Sequence, residues 1–191
     1  DPAKVHLRDI SRILAGLRVD PTSPYAKIQE RKEWLEHETF FNERWDRLTA
    51  DRLSKMQTWT HEEIEPNTDP FASVLYFFGG PDLVNVATVY PKAQNYILCG
   101  LEPLGKVPDL ESLKSPTLAA SLMNLRDSLK DNFDSSFFIT REMMSDLHRS
   151  ELSGVLPIFY FFAARIGAEI VDLEYIATAD GDSGVLALVE D

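Results

Sequence analysis

Residues 25 to 64 carry one apolar seam through an otherwise charged stretch, and the pattern stops at Glu65-Pro66-Asn67-Thr68-Asp69-Pro70. Trp34, Phe41, Trp45, Leu48, Met56 and Trp59 recur mostly at steps of seven, four and three, which puts them on one face of a helix with Glu, Lys, Arg and Asp on the other. The spacing predicts a helical stretch over 25–64 with a bend near Thr39. A face this aromatic must be covered, by a partner protein or by the chain's own core, and the core is the expectation. A first helix is predicted from Val5 to Arg18, with Ile10, Ile13, Leu14 and Leu17 at helical spacing; Asp20-Pro21-Thr22-Ser23-Pro24 ends it.

Beyond Pro70 the pattern changes to short apolar runs separated by Gly and Pro. Ser73 to Phe78 reads as a strand from its β-branched and aromatic content, and Gly79-Gly80-Pro81-Asp82 as a turn. Leu83 to Tyr90 is open between a short helix and an extended segment. Tyr96 to Gly100 reads as a second buried strand, closed by Leu101-Glu102-Pro103-Leu104-Gly105. Leu118, Leu122, Leu125 and Leu129 form the stripe of a helix reaching Phe133. Phe137-Phe138-Ile139 is a brief strand or a packing connection, and Thr140 caps a helix running to His148. Ser153 to Ile166 fits a strand or a helix, and Gly167 ends it as a helix would end. Glu169 to Thr178 and Val185 to Val189 alternate around Asp180-Gly181-Asp182-Ser183-Gly184, which is a hairpin pattern.

Charge and cysteine content then remove whole classes of function. In 191 residues, 19 basic against 31 acidic side chains leave a formal charge of −12, so a nucleic-acid partner is not expected. One cysteine, Cys99, excludes an internal disulfide framework and a cysteine-rich zinc site. No apolar run is long enough for a membrane span. The start at Asp1-Pro2-Ala3 reads as a trimmed terminus, and the chain stops in what reads as a strand, so part of a longer protein is expected to be missing.

Asp82 and Glu102 are the best candidate site. Each follows a strand and a glycine, and if the two strands are parallel neighbours both carboxylates emerge at the carboxyl edge, where open α/β sheets bind ligands. There they would hold Mg²⁺ or Ca²⁺, or divide acid and base roles. Gly79, Gly80 and Gly100 complete the proposed ligand-binding set. The structural alternative is that Asp82 caps the segment after it and Glu102 closes a turn before Pro103. A strand ending in Gly79-Gly80 with an acidic residue ending the next also mimics a dinucleotide site, although Gly-x-Gly-x-x-Gly and the Walker pattern are both missing. Among the histidines, His61-Glu62-Glu63-Ile64-Glu65 lacks the second histidine of a zincin helix, and Glu33 with His37 reads as a surface pair. His148 suits a helix C-terminus. Cys99 reads as an inert buried thiol, and residues 180–184 as a turn rather than a calcium loop.

The blocks Tyr76-Phe77-Phe78-Gly79-Gly80-Pro81-Asp82 and Tyr90-Pro91-Lys92-Ala93-Gln94-Asn95-Tyr96-Ile97-Leu98-Cys99-Gly100-Leu101-Glu102-Pro103-Leu104-Gly105 resemble a family of uncharacterised bacterial exported, lipoprotein-like proteins. The stretch from Asp51 to Trp59 resembles that family's helix leading into the first strand, and Gly154-Val155-Leu156-Pro157 is similar as well. The resemblance implies an exported, envelope-associated protein, and that this chain is the N-terminal half of a longer member. It implies no activity, and no catalytic residue carries over. Gly79 stands where the family more often has serine, which weakens any serine nucleophile in that turn.

The expected architecture is α/β: a helical N-terminal arm over 1–66, packed on a small mixed β-sheet with flanking helices over 67–191 and continuous with it as one domain. The expected strands lie near Val74, Ile97, Val171 and Leu186. The expected function is that of an exported binding or structural envelope protein, with a protein partner or the missing C-terminal half as its associate. The alternatives are a metal-dependent or acid/base enzyme using Asp82 and Glu102, and a nucleotide-binding domain. The sequence names no cofactor.

Overall fold

The computed structural model describes residues 2–69, 73–77, 82–99, 103–110, 115–135, 152, 154–177 and 183–190. Its first helix, α1 (Pro2–Leu14), buries Ile10, Ile13 and Leu14 as the stripe predicts. It ends before Leu17 because Gly16 turns the chain at φ +65. A Cβ there would sit 3.1 Å from the Glu38 Cα and 3.3 Å from the His37 carbonyl oxygen, so both the conformation and the packing require glycine.

The long helical stretch starts later than the seam suggests. Ala26–Glu30 is a separate 3-10 turn, and extended Arg31 (ψ 142) precedes α2 (Lys32–Leu48). The bend expected near Thr39 is not there. The hydrogen-bond pattern changes instead at two π turns, Thr49–Leu53 and Thr60–Ile64, which flank α3 (Ser54–Trp59). Helical dihedrals persist through the junctions at Thr49, Ser54 and Thr60, so Lys32 to Ile64 is one rod. A π turn closes its hydrogen bond one residue later than an α turn, so it rotates the buried face. Trp34, Phe41 and Leu48 are buried as expected, but the next buried positions are Leu53 and Thr60, and Trp59 is 49% exposed. Trp59 therefore lies off the seam.

Among the described residues three further helices follow: α4 (Leu83–Val89), α5 (Ser115–Ser135) and α6 (Leu156–Arg165). Leu83 to Tyr90 is thus helical, and so is the ambiguous run after Ser153. The end of α6 is closed by the Ala168 amide donating to the Ala163 carbonyl (2.9 Å) and the Gly167 amide to Ala164 (3.2 Å). Leu118, Leu122, Leu125 and Leu129 of α5 are all fully buried. They face a core in which Phe41 meets Phe161 at 4.4 Å between ring centres and Phe133 at 5.9 Å.

The α/β class with its helical arm stands. Among the described residues its strands form two separate pairs rather than one mixed sheet. β1 (Ser73–Phe77) and β2 (Asn95–Cys99) run parallel, with Ser73 opposite Asn95 and Phe77 opposite Cys99. β3 (Glu169–Ala177) and β4 (Ser183–Glu190) form the expected antiparallel hairpin, with a bulge between Ile170 and Asp172. Neither β1 nor β2 is the buried strand that its apolar run suggests. Val74, Tyr76, Tyr96 and Leu98 pack on the core, while Leu75, Phe77 and Ile97 are 56%, 77% and 54% exposed. Cys99 is half-buried. An apolar run alone does not distinguish a strand covered on both faces from one covered on a single face. Phe137 to Ile139, the Thr140 to His148 helix and the 180–182 turn lie outside the described residues.

The two short blocks singled out at 103–105 and 154–157 meet in space. The Val155 amide donates to the Pro103 carbonyl and the Leu156 amide to Leu104, both at 3.0 Å. Gly154 (φ +84) approaches Gly105 so closely that a Cβ on it would lie 2.5 Å from the Gly105 backbone. This contact ties the segment after β2 to the start of α6.

Candidate functional site

Parallel pairing of β1 and β2 was the condition on which a carboxyl-edge site rested, and the register meets it. Of the residues assigned to that site, Asp82 is described; Gly79, Gly80, Gly100 and Glu102 lie outside the described residues. Asp82 stands immediately before α4. Its carbonyl accepts the Asn85 and Val86 amides at 2.9 and 3.1 Å, but its carboxylate makes no capping bond to the helix. Instead Oδ1 accepts from the Asn85 side-chain amide (3.0 Å) and Oδ2 from the Tyr76 hydroxyl (3.4 Å). Burial, with the Asp82 charge and hydrogen bond added, holds the Tyr76 hydroxyl above its usual range. Arg52, from the first π turn, lies within electrostatic reach of Asp82. Burial lowers its pKa, and Asp82 works against that shift. Arg52 Nε and Nη2 have no hydrogen-bond partner. The carboxyl edge thus joins Arg52, Tyr76, Asp82 and Asn85, and sequence spacing pointed to Asp82 alone.

A second arrangement was not anticipated. A cavity of about 640 Å³ opens between the rod, α4 and the end of α6. Thr49, Leu53 and Thr60 line it from the π turns, and Ala87 from α4. Trp45 and Arg165, whose guanidinium lies 5.8 Å from the Trp45 ring centre, line it too, as do Glu65, Lys92 and Gln94. Glu65 Oε2 accepts from Lys92 Nζ at 2.7 Å and lies 3.5 Å from His61 Nδ1. The Lys92 hydrogen bond is the main reason the Glu65 carboxyl lies below its usual range. Beyond this ion pair lies a smaller, more apolar recess of about 150 Å³, bounded by Ile64, Val74, Val89 and Tyr90.

The threonines of the two π turns differ from those elsewhere. Thr39, Thr58 and Thr88 each donate to the carbonyl four residues back, at 3.0, 3.0 and 2.6 Å. Thr49 and Thr60 lie on the cavity wall, and their buried hydroxyls have no partner. Single-turn π insertions are frequent at functional sites, where they re-aim side chains without ending a helix. No sequence pattern marks a π turn, so this region was invisible before the seam failed at Trp59.

Other side chains of chemical interest serve the framework. His37, read as one of a surface pair, is fully buried, and its Nε2 donates to the Leu14 carbonyl at 2.8 Å. Burial lowers its pKa to about 3, outweighing the carbonyls that favour the charged ring, so the ring is neutral. Trp34 Nε1 donates to the Ile13 carbonyl (3.0 Å), and Arg165 Nε to the Ala15 carbonyl (2.8 Å). Three consecutive carbonyls at the end of α1 are therefore satisfied from α2 and α6. Among the described residues no group of three or more His, Cys, Asp and Glu side chains is placed to hold a metal ion, and no helix is long and apolar enough to cross a membrane. Comparisons with protein-family models, with curated proteins and with solved structures find no match.

Proposed function

We propose that this chain is a binding domain of the bacterial cell envelope, and that its ligand is a small molecule held in the cavity between the rod, α4 and α6. The observation that carries the reading is the cavity itself: about 640 Å³, walled by the two π turns. That volume lies within the usual range for small-molecule sites. Its wall combines apolar surface from Leu53, Leu83 and Ala87 with polar groups from Gln57, Lys92 and Gln94. Envelope location is supported by the sequence resemblance alone.

A thermal-shift panel of sugars, nucleotides, amino acids and divalent cations, run on wild type and on Ala87→Trp, tests the reading. A ligand at one hundred times its dissociation constant adds about 2.7 kcal/mol to stability. The expected result is a shift in wild type that Ala87→Trp abolishes by filling the space beside α4. A shift that survives Ala87→Trp but is lost in Asp82→Asn would move the site to the carboxyl edge and favour the metal-dependent or acid/base alternative. No shift with any compound would leave the structural reading.

A further inference from the structure

We infer that a second binding site, for a phosphate group, lies on the opposite side of the rod, where α2 and α5 pack together. Phe40 points into an open groove of about 480 Å³ lined by Lys32, Leu35, Thr39, Arg44 and Arg126, with Glu36 and Glu43. The Arg44 guanidinium lies 3.6 Å from the centre of the Phe40 ring, and that of Arg126 lies 5.9 Å from the same centre. Phe40 is itself held edge-on against buried Phe41, at 5.1 Å and 87°. The platform under the two cations is thus anchored in the main core.

With both guanidinium groups within 6 Å of one ring centre, the positive potential there is raised and attracts an anion. In a chain of net charge −12 a carboxylate would be the ordinary solution, as Glu38 is for Arg18 at 2.9 Å and 2.9 Å. Here no described carboxylate pairs with either arginine. Glu36 pairs with Lys32 at 3.7 Å, and neither Glu36 nor Glu43 forms an ion pair with Arg44 or Arg126. Arg44 Nε is buried with no partner. Stacking on Phe40 fixes the plane of the Arg44 guanidinium before any ligand arrives, which lowers the entropy lost on binding. Two guanidinium forks of fixed origin suit a tetrahedral dianion, which accepts from both at once. Arg44 and Phe40 are one helical turn apart on α2, while Arg126 comes from α5, so the site exists only when the two helices are docked.

Isothermal titration with inorganic phosphate and with glycerol 3-phosphate, at constant ionic strength, tests this on the whole chain. The expected result is saturable binding that weakens at least tenfold in Arg44→Gln and in Arg126→Gln. Ala87→Trp leaves that binding unchanged, which separates this site from the interhelical cavity. Tighter binding of glycerol 3-phosphate than of phosphate assigns a phosphomonoester as the source; the reverse assigns the free ion. Both outcomes support the site. An absence of binding, a preference for succinate over both phosphates, or binding that persists in the Arg44→Gln/Arg126→Gln double variant overturns it. The variants' own melting midpoints provide the control for folding. In the absence of added anion, Arg126→Gln melts no lower than wild type.

Discussion

The end of α1 and the β1–β2 pair treat exposed groups in opposite ways. At the end of α1 three carbonyls meet three donors, from Trp34, His37 and Arg165, and Ile10, Ile13 and Leu14 have no exposed surface. At β1–β2 a parallel pair, an arrangement ordinarily covered on both faces, leaves Leu75, Phe77 and Ile97 more than half exposed. The cavity and the partnerless threonine hydroxyls lie between these two regions. The helical region holds itself together through contacts remote in sequence, which leaves the exposed face of β1 and β2 to carry groups that contribute little to stability. A binding site is expected at such a boundary, with one rigid wall and one wall free to adjust.

The largest test of that contrast is in the core. Phe161→Ala, which removes the ring packed against Phe41, is expected to cost about 4 kcal/mol in chemical denaturation. Phe77→Ser on the open sheet face is expected to change stability by no more than about 0.5 kcal/mol. A large loss at Phe77 would mean that the face is covered, and the contrast would fail.

Next comes the pH dependence of the α1 anchor. His37 has a folded pKa of about 3 against an ordinary value of 6.5. The unfolded chain therefore binds the proton first, so the stability tied to the neutral ring is fully present above pH 6.5. It is lost as pH falls toward 3, at up to about 1.4 kcal/mol per unit. His37→Gln keeps a donor for the Leu14 carbonyl and removes the titration. Between pH 6.5 and 4.5 the denaturation free energy of wild type should therefore fall more steeply than that of His37→Gln. Parallel slopes would show that the ring is not held neutral.

Asp82→Asn is a smaller test, at the carboxyl edge. It weakens the hydrogen bond from Tyr76 and removes the charge beside Arg52, at an expected cost of about 1 kcal/mol. A gain in stability instead would mean that the carboxylate is kept for a ligand. Thr60→Val is the smallest. It removes a buried hydroxyl with no partner while preserving shape, so the melting midpoint should stay level or rise. A marked fall would show that the hydroxyl has a structural bond.

What the sequence revealed follows the same boundary. Local periodicity was sufficient for α1 and α5, because each has a single buried face whose spacing matches its own geometry, and for the β3–β4 hairpin, because two alternating runs flank a Gly-rich turn sequence. The seam of the long helix was legible only as far as Leu48. The π turn at Thr49–Leu53 then moved the buried face to Leu53 and Thr60, and no residue type announces such an insertion. Burial of β1 and β2 was over-read because Leu75, Phe77 and Ile97 look like core residues wherever they sit. Asp82 was found from its place after a strand. Its neighbours Arg52 and Asn85 were not, since Arg52 comes from the rod and belongs to no local motif. Likewise His37 gave no sign of burial, because the Leu14 carbonyl that receives its proton lies 23 residues earlier in the chain.

Native-state amide hydrogen exchange tests the central contrast most directly, because it resolves opening free energies region by region. Slow exchange at the global unfolding free energy is expected for α1, α2, α5 and α6. β1, β2 and α4 should exchange through smaller openings and gain protection when a ligand fills the cavity. Uniform protection across both regions would contradict the account, because the chain would then be a single cooperative core with no adjustable wall.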